Sequence, residues 1–195
     1  MRELSTPPKC LLMAVATLMI GMTSLSASRG QESRLKSRSV AHGTRSMAYS
    51  ALTFVTWPKE TFETAESPFV IGLLGKPTSD HEELLDLYVA GKRRVHGRRV
   101  VLRRYADADA IDTCHVLFAT QACTAETVRA AIQKVAGRSV LTVGETAGFA
   151  RSGGVMSVVN RGEDSVLELN LRAADRQQLK LDVRLVNLTV LADES

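Results

Sequence analysis

Short apolar runs alternating with helix-spaced segments constrain this chain most. Phe69 to Leu74 is an uninterrupted apolar run of strand length, closed by Gly75 and Pro77. His115 to Ala119 and Ser139 to Val143 repeat the pattern. Apolar character that runs on, rather than alternating with polar residues, marks a strand covered on both faces. The intervening segments carry helical spacing. Leu84, Leu85, Leu87 and Tyr88 follow a Ser79/Glu82 capping box and stop at Gly91. Thr124 caps a second helix through Val128, Ile132 and Val135, which Gly137 closes. Upstream, Met47, Ala51, Phe54 and Val55 are spaced for a helix that ends at Trp57-Pro58, because a residue before proline avoids helical geometry.

The later part of the chain completes the pattern. Val100 to Leu102 reads as a strand inside a basic stretch, and Glu145 to Ser152 as a short helical or looped link. Val155 to Val159 and Val166 to Leu171 read as strands around a hairpin turn, Asn160-Arg161-Gly162-Glu163. Ala173 to Gln178 is helical, and Leu181 to Leu191 reads as a short strand and then a helix. Strands alternating with helices imply an α/β fold, and the late hairpin makes the sheet mixed. The expected architecture is a single-domain layered sandwich with a mixed β-sheet flanked by helices. Hydrophobic residues make up 45% of the chain but aromatics only 5%, so the core is expected to be mostly aliphatic.

The N-terminus has a different character. Leu11 to Met22 is an uncharged apolar run, preceded by Arg2 and Lys9 and followed by the small residues Ser24 to Ser28. Residues 1–28 therefore read as an export signal, with cleavage expected after Ala27 or Ser28. The run falls short of the ~20 residues that span a bilayer comfortably. Residues 29–44 are polar and basic with no apolar period, a flexible leader, and 45–195 form the folded domain. The overall charge is +4, but from Tyr49 onward 18 basic residues face 19 acidic ones. The basic excess belongs to the leader, so charge gives no argument for a nucleic-acid partner.

Few residues offer chemistry. The four histidines, His42, His81, His96 and His115, include no i, i+4 pair for a metal, and no CxxC is present. Cys114 and His115 are adjacent, but neighbours on a strand point to opposite faces, one packed and one toward solvent. Cys114 and Cys123 flank a strand that holds them roughly 15 Å apart at ~3.3 Å per residue. A disulfide needs the Cα atoms within ~7 Å, so none is expected, although the two are the available pair. Asp107, Asp109 and Asp112 lack the glycine and terminal glutamate of a calcium loop and read as a solvated turn. Gly153-Gly154 precedes a strand rather than a helix, so it permits a tight backbone path instead of cradling phosphate. Lys92, Arg93, Arg94, Arg98, Arg99, Arg103 and Arg104 cluster in a short stretch. That stretch reads as a solvated strand face, with contact to anionic lipid or an acidic partner as the rival. No catalytic residue, cofactor or metal is assigned. A hydrolase using Cys114 or His115 remains the enzymatic alternative.

Four segments in order resemble one known family. Phe54-Val55-Thr56-Trp57-Pro58 is similar to the F-V-x-W-P signature of YfiR/HmsC-like proteins. Cys114-His115-Val116-Leu117-Phe118 resembles their C-H-[IV]-L-[FY] strand. Val140-Leu141-Thr142-Val143 with Gly148-Phe149-Ala150 and Gly153-Gly154-Val155-Met156 resembles their V-L-T-V…F-A…G-G-M-I block. Leu167-Glu168-Leu169-Asn170 resembles F-E-[IV]-N. The match covers about residues 45–192. It implies a periplasmic α/β protein that binds the sensor domain of an inner-membrane diguanylate cyclase and holds it inactive, restraining cyclic-di-GMP synthesis and biofilm formation. It also implies an outer-membrane lipoprotein that sequesters the repressor, and it admits a homodimer. A module for another membrane sensor, such as a histidine kinase, is the alternative partner reading. By register, Met156, Glu168 and Ala174 fall where family members have residues tied to repression. The cysteine that members carry in the Phe69 to Leu74 strand is absent, with Gly72 nearby. Ala150 and Ser157 replace a second pair. Lys180 and Asp182 stand where some members bind small ligands through arginine and histidine. The resemblance therefore implies neither disulfide control nor ligand binding at those places.

Overall fold

The computed structural model describes residues 48–77, 79–91, 93–161 and 164–192. The expected signal and leader segments, Met47, Lys92, the Gly162-Glu163 hairpin tip and residues 193–195 lie outside them. The described chain opens with helical residues 48–51 (α1), which tighten into a 3-10 turn at Leu52–Phe54. Strand β1 (Val55–Thr56) follows directly, so the helix stops before Trp57-Pro58 is reached. Long-range pairing ends it: β1 lies antiparallel to β8 (Lys180–Leu181), and the Asp182 amide donates to the Phe54 carbonyl at 2.9 Å.

The main sheet has seven strands. β2 (Phe69–Leu74), β3 (Val100–Tyr105), β4 (Val116–Ala119), β5 (Leu141–Gly144) and β6 (Met156–Arg161) are parallel. β7 (Asp164–Leu169) returns antiparallel to β6, and β9 (Val190–Leu191) adds parallel to β7. The spatial order is β3-β2-β4-β5-β6-β7-β9. This is the mixed sheet flanked by helices that the alternating pattern implied. Every residue of β2, β4 and β5 is buried, as continuous apolar strands between two layers must be. Phe69, Ile71 and Leu73 join the larger core cluster, whereas Val70 and Leu74 join the second on the other face.

The helices divide between the faces. Tyr49 of α1, Leu85 and Tyr88 of α2 (Ser79–Val89), Ala173 and Ala174 of α4 (Leu171–Arg176) and Leu185 of α5 (Val183–Asn187) fill the larger cluster. α3 (Ala125–Lys134) covers the opposite face through Ala131, with Val135 just beyond its end. The Thr124 side chain accepts the Thr127 amide at 3.1 Å, the N-cap expected there. Ser79 is instead the first helical residue of α2, not the residue before it.

Other boundaries moved for physical reasons. β3 runs to Tyr105 because it pairs with β2 along its whole length. The hairpin strands continue to Arg161 and Asp164, which pair directly, leaving two connecting residues rather than four. Glu145 to Ser152 is the looped form of the expected link, a run of turns. α4 starts at Leu171, earlier than expected, because Asn170 caps it. The tail ends in β9, a strand that apolar periodicity does not signal because both residues are exposed.

Candidate functional site

The signature residues meet in space as packing devices. Trp57 is buried, and its indole N–H donates to the His115 carbonyl at 3.1 Å across 58 residues of sequence. Its ring meets Phe69 edge-on at 4.9 Å. The His115 ring stacks on Phe62 at 4.5 Å and on Phe69 at 5.2 Å. The Val70 amide donates to His115 Nδ1 at 2.8 Å, so the ring is neutral with its proton on Nε2. Burial also pushes the His115 pKa below its ordinary value. Neither residue is the solvent-facing one expected of the pair: His115 and Cys114 are both buried, on opposite sides of the sheet.

This arrangement makes stability depend on pH. An unfolded histidine titrates near pH ~6.5, and the folded value lies lower. The unfolded chain therefore takes up more protons as the pH falls, and stability, full above about pH 6.5, declines below it. Thermal melts should show a lower Tm at pH 5.5 than at pH 7. His115→Gln should flatten that dependence while lowering Tm at both values. An unchanged pH profile in the variant would assign the titration elsewhere.

Cys114 faces the second cluster, where burial raises its thiol pKa to about 12. A thiol so placed is a poor nucleophile at neutral pH. Cys114 and Cys123 are free, and the Cys123 thiol donates to the Leu74 carbonyl at 3.3 Å, beyond the far end of β4. Gly72 leaves no room for a side chain on this face of β2. A side chain there would meet the Tyr105 ring at 2.6 Å and Cys114 Cβ at 3.3 Å. Tyr105 occupies that space, and its hydroxyl donates to Asp112 at 2.6 Å. Asp112 is therefore more than a solvated turn residue. The Tyr105 hydroxyl, then Arg103, hold its pKa down at about 2.

The V-L-T-V…F-A…G-G block is built around one ring. Phe149 is buried between Gly144 and Gly154, and a Cβ at either glycine would fall 2.1 Å from it. Thr142 accepts the Val155 amide at 2.9 Å. Asn170 accepts the Ala173 amide at 2.9 Å and donates to the Ala150 carbonyl at 2.8 Å, tying the end of β7 to this block. Gln177, which the sequence gave no reason to single out, accepts the Val140 amide and donates to the Val135 carbonyl, both at 3.2 Å.

The residues that register tied to repression sit on the far side of the sheet from β3. Met156 and Ala174 share the larger core cluster. Glu168 points from the other face of the β6–β7 hairpin, where the Ser157 hydroxyl donates to it at 3.4 Å and Arg151 lies 3.9 Å away. All three are buried, so they can act on a partner only by shaping the surface above them. That surface is unusually apolar. Among the described residues, Leu171, Val183, Leu188, Val190 and Leu191 are exposed, Leu188 to 70% and Leu191 to 53%. Glu168 pairs in register with Val190, and Leu169 with Leu191. Among the described residues β9 is the last strand of the sheet, and it lies beside the hairpin that carries Glu168 and Leu169.

The opposite edge differs. The basic stretch is solvated in part, with Arg93, Arg94, Arg99 and Arg104 exposed, but several of its arginines also hold partners. Arg98 donates to the carbonyls of Thr64, Ala65 and Ser67 at 2.8–2.9 Å and lies 3.9 Å over Phe62. Arg103 pairs with Asp112, Arg104 lies 3.5 Å from Glu82, and Arg94 donates to the Gly97 carbonyl at 3.1 Å. Charged side chains on an edge strand discourage strand addition, and β9 lacks that protection.

The YfiR/HmsC-like family model matches residues 43–190. Among solved structures, the chain is similar to a conserved domain protein from Vibrio cholerae O1 biovar eltor, at 16% identity and TM-score 0.48. It is also similar to an ABC domain from Streptococcus pneumonia in complex with L-Trp, at 11% identity and TM-score 0.47. Each match covers 63% of this chain and 54% of the other, so the chain spans about half the length of these structures. No curated protein matches significantly. With the family model covering most of the chain and its signature residues joined in one fold, the protein belongs to the YfiR/HmsC-like family.

Proposed function

We propose that this protein is exported by its N-terminal signal and restrains an inner-membrane diguanylate cyclase by binding its periplasmic sensor domain. The carrying observation is the exposed apolar margin around β9, which adjoins the hairpin bearing Met156 and Glu168. An exposed apolar patch beside an unguarded strand edge is the kind of surface that docks a protein. Binding represses by selecting the inactive state of the sensor, so its effect equals the difference in affinity for the two states. The inert Cys114 thiol and the structurally committed His115 speak against the hydrolase alternative. An outer-membrane lipoprotein that sequestered this protein would release the cyclase by mass action.

Affinity capture from detergent-solubilised membranes tests the reading. Wild-type protein is expected to retain a diguanylate cyclase, and Leu188→Asp/Leu191→Asp to lose it at unchanged Tm. Both positions are exposed, so the substitutions leave the core intact. Capture of a histidine kinase sensor instead would move the assignment to that partner. Equal capture by both proteins would remove the β9 margin from the interface.

A further inference from the structure

A cleft lies on the α3 face, away from β9. A cavity of about 160 Å³ opens between α3 and the turns after β5. Val128, Ile132 and Phe149 supply its apolar wall, and Phe149 cannot swing away because Gly144 and Gly154 clasp its ring. The wall is therefore preformed. The polar residues of the lining are Thr146, Ser152 and Arg129. Arg129 is exposed and makes no ion pair or hydrogen bond among the described residues, in contrast to Arg98, Arg103 and Arg104. Ala125, the first residue of the ten-residue α3, also lines the cavity, so the positive end of the helix dipole lies at the same place.

Size and charge together define a ligand. An enclosed cavity of about 150 Å³ accommodates benzene, and this cleft of about 160 Å³ suits a branched or cyclic body of about that size. An uncommitted cation and two hydroxyl-bearing residues beside an apolar wall complement one anionic head. We propose that this cavity binds a small monocarboxylate with an apolar body, such as a branched short-chain acid, with the carboxylate on Arg129 and the body against Val128, Ile132 and Phe149. This site is independent of the β9 margin and of the partner proposed above.

An amide-resolved NMR titration of the protein with isovalerate and with isovaleramide tests this directly. Isovalerate should produce saturable shifts at α3 and at residues 146–152, and isovaleramide should bind at least about tenfold more weakly, the range of one charge-assisted bond. Arg129→Gln should reduce isovalerate affinity by a similar factor without lowering Tm, and Ala147→Phe, at an exposed lining position, should block binding. Absence of saturable shifts with either probe, equal binding of acid and amide, or full affinity in Arg129→Gln would each overturn the assignment.

Discussion

Replacing Trp57 with alanine is expected to cost about 4 kcal/mol of stability, the usual range for removing a buried large aromatic. Two losses combine. The indole fills the junction between Phe69 and His96, with ring centroids 4.9 and 5.7 Å away. Its N–H also donates to the His115 carbonyl, which keeps the Leu141 amide at 2.9 Å, so this loss is one hydrogen bond, about 0.5–1.5 kcal/mol. Trp57→Phe separates the two. It keeps most of the ring burial and loses the hydrogen bond, so its cost should be about 1–2 kcal/mol. Urea melts followed by circular dichroism measure both. Trp57 is the chain's one tryptophan, so fluorescence reports this junction in the wild type alone. A neutral Trp57→Ala would remove the account of the W-P signature as a structural joint.

Gly144→Ala should be nearly as damaging for the opposite reason. A single methyl group would fall 2.1–2.6 Å from three atoms of the Phe149 ring. Overpacking of this kind costs about 1–3 kcal/mol, and the upper end applies because Gly154 blocks the ring on its other side. The glycine is therefore required by close approach and not by backbone conformation. The signature of that cause is coupling: Gly144→Ala combined with Phe149→Leu should lose less than the sum of the two single variants. Simple additivity would show that Gly144 is needed for some other reason.

The central strands were legible because parallel strands between two layers must be apolar throughout. Phe69 to Leu74 and Val116 to Ala119 satisfy that rule within a few residues of their true ends. The two-residue strands were not legible. β1, β8 and β9 exist because distant segments pair, and Val55-Thr56 carries a helix-compatible pattern until Leu181 claims it. The fate of the arginines was equally hidden. Charge density cannot distinguish a guanidinium in solvent from Arg98, whose partners are three carbonyls about thirty residues away. For the candidate site, sequence register pointed to the hairpin of Met156 and Glu168 but not to the surface beside it. Leu188, Val190 and Leu191 look like ordinary core residues in a string of letters, and only the placement of β9 at the sheet edge leaves them exposed. Phe149 shows the reverse case. Gly153-Gly154 signalled a tight backbone path, and the structure supplies the ring that requires it.

The signature residues thus hold the fold, and the proposed regulation is assigned to the surface that the fold presents. Reconstituted diguanylate cyclase activity tests that division most directly. Cyclase captured with this protein, placed in nanodiscs, should synthesise cyclic-di-GMP more slowly when wild-type protein is added, and Leu188→Asp/Leu191→Asp of equal Tm should leave the rate unchanged. Equal inhibition by both proteins, or a rate indifferent to the wild type, would contradict the account.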